Sequence, residues 1–164
     1  MVEAPYVRRI AIIVAGFAAV GWLAVCGSSE SPETPTACLA SESAYLQALE
    51  SAPDPVRLDG TTPISDCLVE EQDAGPLGQV GGAMVGAATE LNRRALRGDD
   101  EAASELGYLV GAAEQGAENT GGIHRDLILR LESAATYARP SGNGLDADVQ
   151  RDYDHGFSAG RATG

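Results

Sequence analysis

The chain has 164 residues, of which 44% are hydrophobic and 5% aromatic, enough for one core and one domain of ordinary size. Its formal net charge is −13, and the residues after position 25 include 23 acidic and 9 basic side chains. Such an acidic body is repelled by phosphate backbones and anionic lipid surfaces, so the composition argues against nucleic-acid binding.

Residues 1–25 have the order of an export signal. Arg8 and Arg9 precede an apolar run over residues 10–25, after which a polar stretch begins. As a helix this run is about 24 Å long, short of the roughly 30 Å hydrocarbon core, which favours a removable signal over a spanning helix. The arginines are expected to stay in the cytoplasm and the acidic body to lie outside.

The apolar run ends in Leu23-Ala24-Val25-Cys26. These residues resemble the lipobox of bacterial prolipoproteins, and the resemblance implies that Cys26 receives a diacylglyceryl group and becomes the first residue of the mature chain. Val25 stands where that family usually has Gly, Ala or Ser. An uncleaved N-terminal anchor, with snorkelling arginines, and plain secretion are the two alternatives.

Two further cysteines, Cys38 and Cys67, remain when Cys26 is assigned to the lipid. An even pair outside the cytoplasm predicts a disulfide. A loop of this size, once closed, stabilises a fold by about 3.5 kcal/mol in the chain-entropy model. The alternative is a pair of reduced, buried thiols that pack as small hydrophobes.

The body divides by composition into three parts. Residues 26–36 are rich in Ser, Glu, Thr and Pro and are expected to form a flexible tether. Residues 37–139 contain several segments of helical periodicity, separated by short loops, and are expected to form the folded domain. Residues 140–164 are expected to be a linker and a C-terminal helix, which either docks on the domain or stays mobile.

Proline and glycine residues are expected to start and end the helices in the early part of the domain. Apolar residues at helical spacing predict a first helix from Thr36 until Pro53. A short second helix is expected to start at Pro63 and to end at Gly75-Pro76.

Three longer helices follow. One is expected over residues 77–97, with Gly98 as its C-terminal cap, and the next from the acidic residues 99–101 until about residue 118. The segment 123–139 has the clearest periodicity. Its inward positions are expected to be Ile123, Leu127, Leu131, Ala134 and Ala138.

The last segment, residues 145–162, carries a narrow stripe of apolar residues spaced by four. No stretch alternates apolar and polar residues with the β-branched enrichment of a strand. The sequence therefore predicts an all-α fold, a small antiparallel helical bundle of about four to five helices after an N-terminal hydrophobic signal or anchor helix.

A short repeat suggests how two of these helices pack. Val-Gly-Ala-Ala occurs at residues 85–88 and again at 110–113, and in each copy a second glycine lies four residues before the first. Glycines four apart share a helix face, so the pairs Gly82/Gly86 and Gly107/Gly111 predict a close antiparallel hairpin whose glycine faces meet. Chance recurrence in an Ala/Gly-rich chain is the alternative.

Few residues suggest chemistry. The two histidines, His124 and His155, are expected to be exposed. The acidic stretch around Asp152 and Asp154 lacks the spacing of a calcium loop. A basic cluster of Arg93, Arg94 and Arg97 is explained by its place at a helix C-terminus.

The sequence therefore predicts no catalytic residues, no metal site and no cofactor, and the chain is not expected to be an enzyme. The leading hypothesis is a membrane-anchored helical protein on the extracytoplasmic face of the cell membrane, a binding module for another envelope protein or a wall component. The alternative is a lipoprotein that binds a small ligand or a cation.

Overall fold

The computed structural model describes residues 33–136 and 147–164. Within these ranges the fold is all-α and contains no strand, as the periodicity predicts. The five α-helices are α1 (Glu42–Leu49), α2 (Ala74–Ala95), α3 (Asp100–Ala117), α4 (Arg125–Thr136) and α5 (Ala147–Thr163). Two 3-10 turns, Thr36–Leu39 and Ile64–Cys67, precede α1 and α2 respectively.

The predicted signal, the lipid site at Cys26 and most of the tether lie outside the described residues. No helix in the described ranges combines the length and the hydrophobicity needed to cross a bilayer.

The start of α2 differs from the prediction. Gly75-Pro76 was expected to end a helix, but both residues lie in the first turn of α2, which begins at Ala74. Proline is tolerated there because the first N–H groups of a helix have no intrahelical acceptor. The helix expected from Pro63 is correspondingly reduced to the 3-10 turn Ile64–Cys67.

The connection between α2 and α3 forms as predicted. Gly98 has a positive φ of 86°, the conformation in which glycine commonly ends a helix. The Asp99 side chain then caps α3 by accepting a hydrogen bond from the Ala102 N–H at 3.1 Å. Three acidic residues at this helix start also complement the helix dipole.

The centre of the fold is α3. Its residues from Ala102 to Ala113 are all buried, and it contacts every other α-helix as well as the turn Ile64–Cys67. The core formed around it is rich in small side chains, because alanine and glycine occupy much of the surface where helices meet.

The C-terminal helix α5 packs closely along α3. The sequence left open whether this segment docks on the domain or stays mobile, and the structure shows that it docks. A Cβ atom placed on Gly107 would overlap the backbone of Tyr153, and one placed on Gly111 would overlap that of Phe157. Because the contacting residue numbers rise together, α3 and α5 run in the same direction.

The predicted glycine hairpin between α2 and α3 is therefore wrong. Gly82 has no neighbouring atom within 4 Å of its Cβ position, and Gly86 contacts the side chain of Glu42 on α1. The glycine face of α3 meets the backbone of α5 at Tyr153 and Phe157 instead, and Gly156 and Gly160 of α5 meet the backbone of α3 at Ser104 and Tyr108. These two glycines also lie four residues apart, so the two helices present matching flat surfaces.

Hydrogen bonds fix the far end of α5 to the rest of the domain. The Tyr108 hydroxyl accepts a hydrogen bond from the Val56 N–H at 3.0 Å and shares another with Thr163 Oγ1 at 2.9 Å. Arg57 donates from Nη1 to the Thr163 carbonyl oxygen at 2.9 Å. The loop after α1 is thereby joined to both α3 and α5.

The predicted disulfide is present. Cys38 and Cys67 are bonded at an S–S distance of 2.02 Å, and neither residue is exposed to solvent. The bond joins the two 3-10 turns, and the Tyr45 hydroxyl beside it donates to the Cys38 carbonyl oxygen at 2.9 Å. It holds the N-terminal end of the described domain against the core.

A candidate binding groove between α2 and α4

A groove of about 540 Å³ lies between the C-terminal halves of α2 and α4. Its volume falls within the range of about 300 to 1,000 Å³ that is typical of ligand sites. The lining residues are Val85, Thr89, Asn92, Arg93 and Leu96 from the α2 side and Arg130, Ser133 and Ala134 from α4.

The spacing of small and large side chains creates this groove. Near the start of both helices, Leu127 of α4 packs onto the backbone of α2 at Gly81, with its Cδ1 atom 3.4 Å from the Cβ position. Further along, α4 offers the short side chains of Ser133 and Ala134, which leave space open between the helices.

Asn92 is the unusual residue of the groove. It is only 7% exposed, yet its Oδ1 atom is buried without a hydrogen-bond partner. A buried polar atom left unpaired destabilises a fold by about 1 to 3 kcal/mol. The wall of the groove thus contains a buried acceptor that is left unpaired.

Arg93 and Arg130 line the groove, and the charge of Arg93 is already balanced by Glu90. Arg93 is held by the carboxylate of Glu90, with Nε 2.9 Å from Oε2, and Arg94 contacts the same carboxylate. These guanidinium groups lower the pKa of Glu90. Arg130 is exposed and has no ion-pair partner among the described residues, so its charge faces solvent.

The predicted basic cluster is thus split by the structure. Arg93 and Arg94 lie in the last turn of α2, as expected for cations near a helix C-terminus. Arg97 follows the helix and does not line the groove.

Apolar surface completes the groove. Leu96 is 48% exposed, and Val85 and Ala134 are half-buried. Exposed apolar surface beside a guanidinium that has no ion-pair partner in the described ranges is typical of a site that binds a ligand with both apolar and polar parts.

A second groove, of about 570 Å³, lies where α3, α4 and α5 meet, and part of its charge is already paired. Arg161 of α5 contacts Glu114 at 3.7 Å and also pairs with Glu118. Burial raises the pKa of Glu114, and Arg161 opposes that rise. These internal ion pairs make this groove the weaker candidate.

The structure corrects the predicted exposure of His124, which is completely buried. Its Nε2 atom lies 2.7 Å from Oε1 of Gln72. The Gln72 amide nitrogen donates to the Cys67 carbonyl oxygen at 3.0 Å, so Oε1 is the acceptor and His124 carries its proton on Nε2. Burial lowers the pKa of this imidazole.

A shift of register explains the error at His124. His124, directly before α4, faces inward together with Leu127, Leu131 and Ala135 of α4, whereas Ile123 is 44% exposed. Two helical turns span about seven residues. Seven residues before Leu131 is His124, whereas two steps of four lead to Ile123, which lies beyond two turns. His155, in contrast, is exposed as predicted.

The acidic stretch of α5 forms no metal centre in the described ranges. No group of three or more His, Cys, Asp and Glu side chains that could hold a metal ion is found there. Asp154 accepts a hydrogen bond from Gln150 Nε2 at 2.7 Å, and Asp148 pairs with Arg151.

Sequence reasoning missed both the groove and the glycines of α5. Asn92 lies four residues after Ala88 on the buried face of α2, and a polar residue in that register could have been noticed. The four-residue spacing of Gly156 and Gly160 was overlooked because the neighbouring aromatic residues define the more obvious pattern of that segment. The groove itself depends on contacts between distant helices, which a sequence pattern does not contain.

Comparison of the chain with protein-family models, with curated proteins and with solved structures found no match.

Proposed function

We propose that this chain is a membrane-tethered binding module on the extracytoplasmic face of the cell membrane, and that the groove between α2 and α4 is its binding site. The N-terminal region supplies the tether, through a lipid on Cys26. The folded domain supplies the surface.

The disulfide between Cys38 and Cys67 is the observation that carries this proposal. Disulfides persist in oxidising compartments and are rare in the cytoplasm, where thiols are kept reduced. An export signal in the same chain, with positive charge before its apolar run, is independent support for the same compartment.

The binding role is supported by the groove between α2 and α4. It combines a buried, unpaired acceptor on Asn92 with exposed apolar surface at Leu96. Contiguous features of this kind on a small domain usually mark a site of interaction.

Membrane fractionation combined with intact-protein mass spectrometry tests the tether. The native chain should be found in the membrane fraction, with a mass that fits an acylated chain beginning at Cys26. Cys26→Ser should lose both the acyl mass and the membrane retention, because the serine offers no thiol for the lipid.

Ser28→Ala is the matched control, since it changes a small residue two positions away and leaves the cysteine in place. An unmodified, full-length N-terminus on a chain that remains in the membrane would contradict lipidation and support an uncleaved anchor. Recovery of the folded domain from the cytoplasm would contradict the whole proposal.

A further inference from the structure

We infer that Thr34, Gln72 and His124 form a latch that holds the first described residues and the start of α4 against the core, and that acid opens this latch. The inference goes beyond the binding role proposed above, because it concerns how the N-terminal end of the domain is held. It is carried by a chain of hydrogen bonds and by a buried ring nitrogen in that chain that has no partner.

Gln72 is the centre of the latch, because both polar atoms of its side chain are in use. Its amide nitrogen donates to Thr34 Oγ1 at 2.8 Å and to the Cys67 carbonyl oxygen at 3.0 Å. Its Oε1 atom accepts from His124 Nε2 at 2.7 Å. Glu71, directly before it, has a positive φ of 59°, a conformation that persists in such a residue only where its surroundings enforce it. Three hydrogen bonds thus connect the N-terminal segment, the chain after Cys67 and the start of α4.

His124 is the part of the latch that can change its charge. It is completely buried and stands directly before α4, where its carbonyl oxygen accepts from the Ile128 N–H at 3.0 Å. Because Nε2–H already donates to Gln72, a proton taken up in acid goes to Nδ1, a buried atom without a partner among the described residues. The charged N–H group is then unsatisfied and lies at the end of α4 that the helix dipole makes positive. Protonation therefore favours a state in which His124 reaches water.

The surroundings of His124 do not compensate for this proton. Burial lowers the pKa of the imidazole, with no contribution from a charged neighbour in the described ranges. The charged residues of the segments that meet at the latch are all exposed, namely Glu33, Asp66, Glu70, Glu71, Asp73, Glu118, Arg125 and Asp126. In an open state the imidazole has its ordinary pKa, so the equilibrium constant for opening rises by up to about tenfold per pH unit below 6.5.

The opening is expected to be local. The latch joins segments at one end of the domain, whereas the core around α3 is closed by its backbone contacts with α5. The disulfide keeps Cys38 in place, so only the residues before it are released. In the extracytoplasmic location proposed above, acidification of the surroundings would then lengthen the connection between the membrane and the domain.

Hydrogen exchange with mass spectrometry tests the latch in the full chain, held in nanodiscs of zwitterionic lipid. The junction peptides contain the amide of Cys38, which donates to the Pro35 carbonyl oxygen, and the amide of Ile128, which donates to His124. Peptides from α3 report global unfolding. With labelling times adjusted for the slower intrinsic exchange in acid, the protection of the junction peptides should fall at least about tenfold between pH 7.5 and 5.0.

Dilute urea distinguishes local opening from global unfolding. Global unfolding exposes a large surface and is promoted by urea, whereas a small local opening is almost insensitive to it. At pH 5.0, urea below the unfolding transition should therefore accelerate exchange in α3 and leave the junction peptides unchanged.

Substitutions in the latch identify the group that acid acts on. His124→Gln keeps a donor for Gln72 but does not titrate, so it should abolish the loss of protection in acid. His155→Gln, at an exposed histidine, is the matched control and should retain it. Gln72→Leu removes the partner of both His124 and Thr34, so it should lower the protection of the junction peptides at least about tenfold already at pH 7.5.

Three results would overturn the latch. They are a native loss of protection in His124→Gln, an unchanged junction in a folded Gln72→Leu at pH 7.5, and equal urea dependence of the junction and α3. The exchange of α3 shows whether each variant is folded, and if Gln72→Leu does not fold, the two histidine variants still decide. Membrane retention of the chain tests the proposed function separately and does not depend on these results.

Discussion

Gly156 of α5 lies directly against the carbonyl group of Ser104 on α3, so that a Cβ atom at this glycine would overlap the Ser104 oxygen. The same relationship recurs one turn later, where Gly160 meets the backbone of Tyr108. These contacts join backbone to backbone, with no side chain between them that could move aside. The placement of α5 therefore depends on the absence of two side chains.

Gly156→Ala should destabilise the domain by about 2 to 3 kcal/mol or more, because α5 must separate from α3 to make room for the methyl group. Gly82→Ala is the matched control, since nothing lies within 4 Å of that Cβ position on the exposed side of α2. It should stabilise the domain by about 0.5 to 1 kcal/mol through helix propensity. Chemical denaturation of both variants measures the difference, and equal effects would contradict the described packing.

The buried carboxyl group of Glu105 makes the domain less stable at high pH. It is 8% exposed, its Oε2 atom has no partner, and burial raises its pKa to about 7. The folded state thus favours the protonated acid, so stability falls as pH rises from the unfolded value of about 4.5 through 7. Glu105→Gln, which stays neutral, should be more stable than the native chain by about 1 to 3 kcal/mol at pH 8.

The advantage of Glu105→Gln should shrink steadily as the pH is lowered towards 5, where the native carboxyl is protonated in the folded state. Denaturation at a series of pH values measures this trend. Glu101→Gln, an exposed neighbour, is the control and should show little change. A constant difference between the native chain and Glu105→Gln at every pH would contradict the assignment.

The buried imidazole of His124 has the opposite effect and makes the domain less stable at low pH. Burial lowers its pKa below the ordinary 6.5, so the folded state binds the proton less readily than the unfolded state. Stability contributed by the neutral imidazole is present above pH 6.5 and is lost as pH falls through the lower folded value. The slope attributable to this group approaches about 1.4 kcal/mol per pH unit.

His124→Gln keeps a donor for Gln72 and removes the titration. Its free energy of unfolding should therefore fall less steeply between pH 6.5 and 5 than that of the native chain. His155→Gln changes an exposed histidine and should keep the native slope. Parallel curves for the native chain and His124→Gln would be inconsistent with a buried neutral imidazole.

The disulfide should account for a large part of the stability of the domain. Cys38 and Cys67 are separated by 29 positions, and closing a loop of that size contributes about 3.5 kcal/mol in the chain-entropy model. A chain with both cysteines changed to alanine should lose about this amount in urea denaturation. Addition of a reductant should lower the free energy of unfolding of the native chain by the same amount and leave that of the double variant unchanged. Any effect of the reductant on the double variant would show that it acts by a route other than this disulfide.

Local patterns were sufficient to predict most of the helices. Gly98 as the end of one helix and the acidic residues 99–101 at the start of the next are both predicted from neighbouring residues, and the structure confirms them. Pro76 was misjudged because proline stops a helix in its interior but is accepted in its first turn, and a sequence alone leaves both positions open.

Contacts between helices were predicted less well, because they depend on the choice of partner. The pair Gly107 and Gly111 was correctly recognised as a flat face, but it meets the backbone of α5 at Tyr153 and Phe157 rather than Gly82 on α2. The unpaired amide of Asn92 has significance only once α4 is placed beside α2. A sequence pattern shows which helix faces carry small or polar residues, but only the fold shows which of these faces are in contact.

The redox state of Cys38 and Cys67 in intact cells is the sharpest test of the proposed extracytoplasmic location. Cells that express the chain are quenched in acid and treated with an alkylating reagent before and after reduction, and the peptides that contain both cysteines are analysed by mass spectrometry. We expect that neither thiol is alkylated until a reductant is added. Alkylation of both residues without reduction, in chains that are folded, would contradict a disulfide-closed domain outside the cytoplasm.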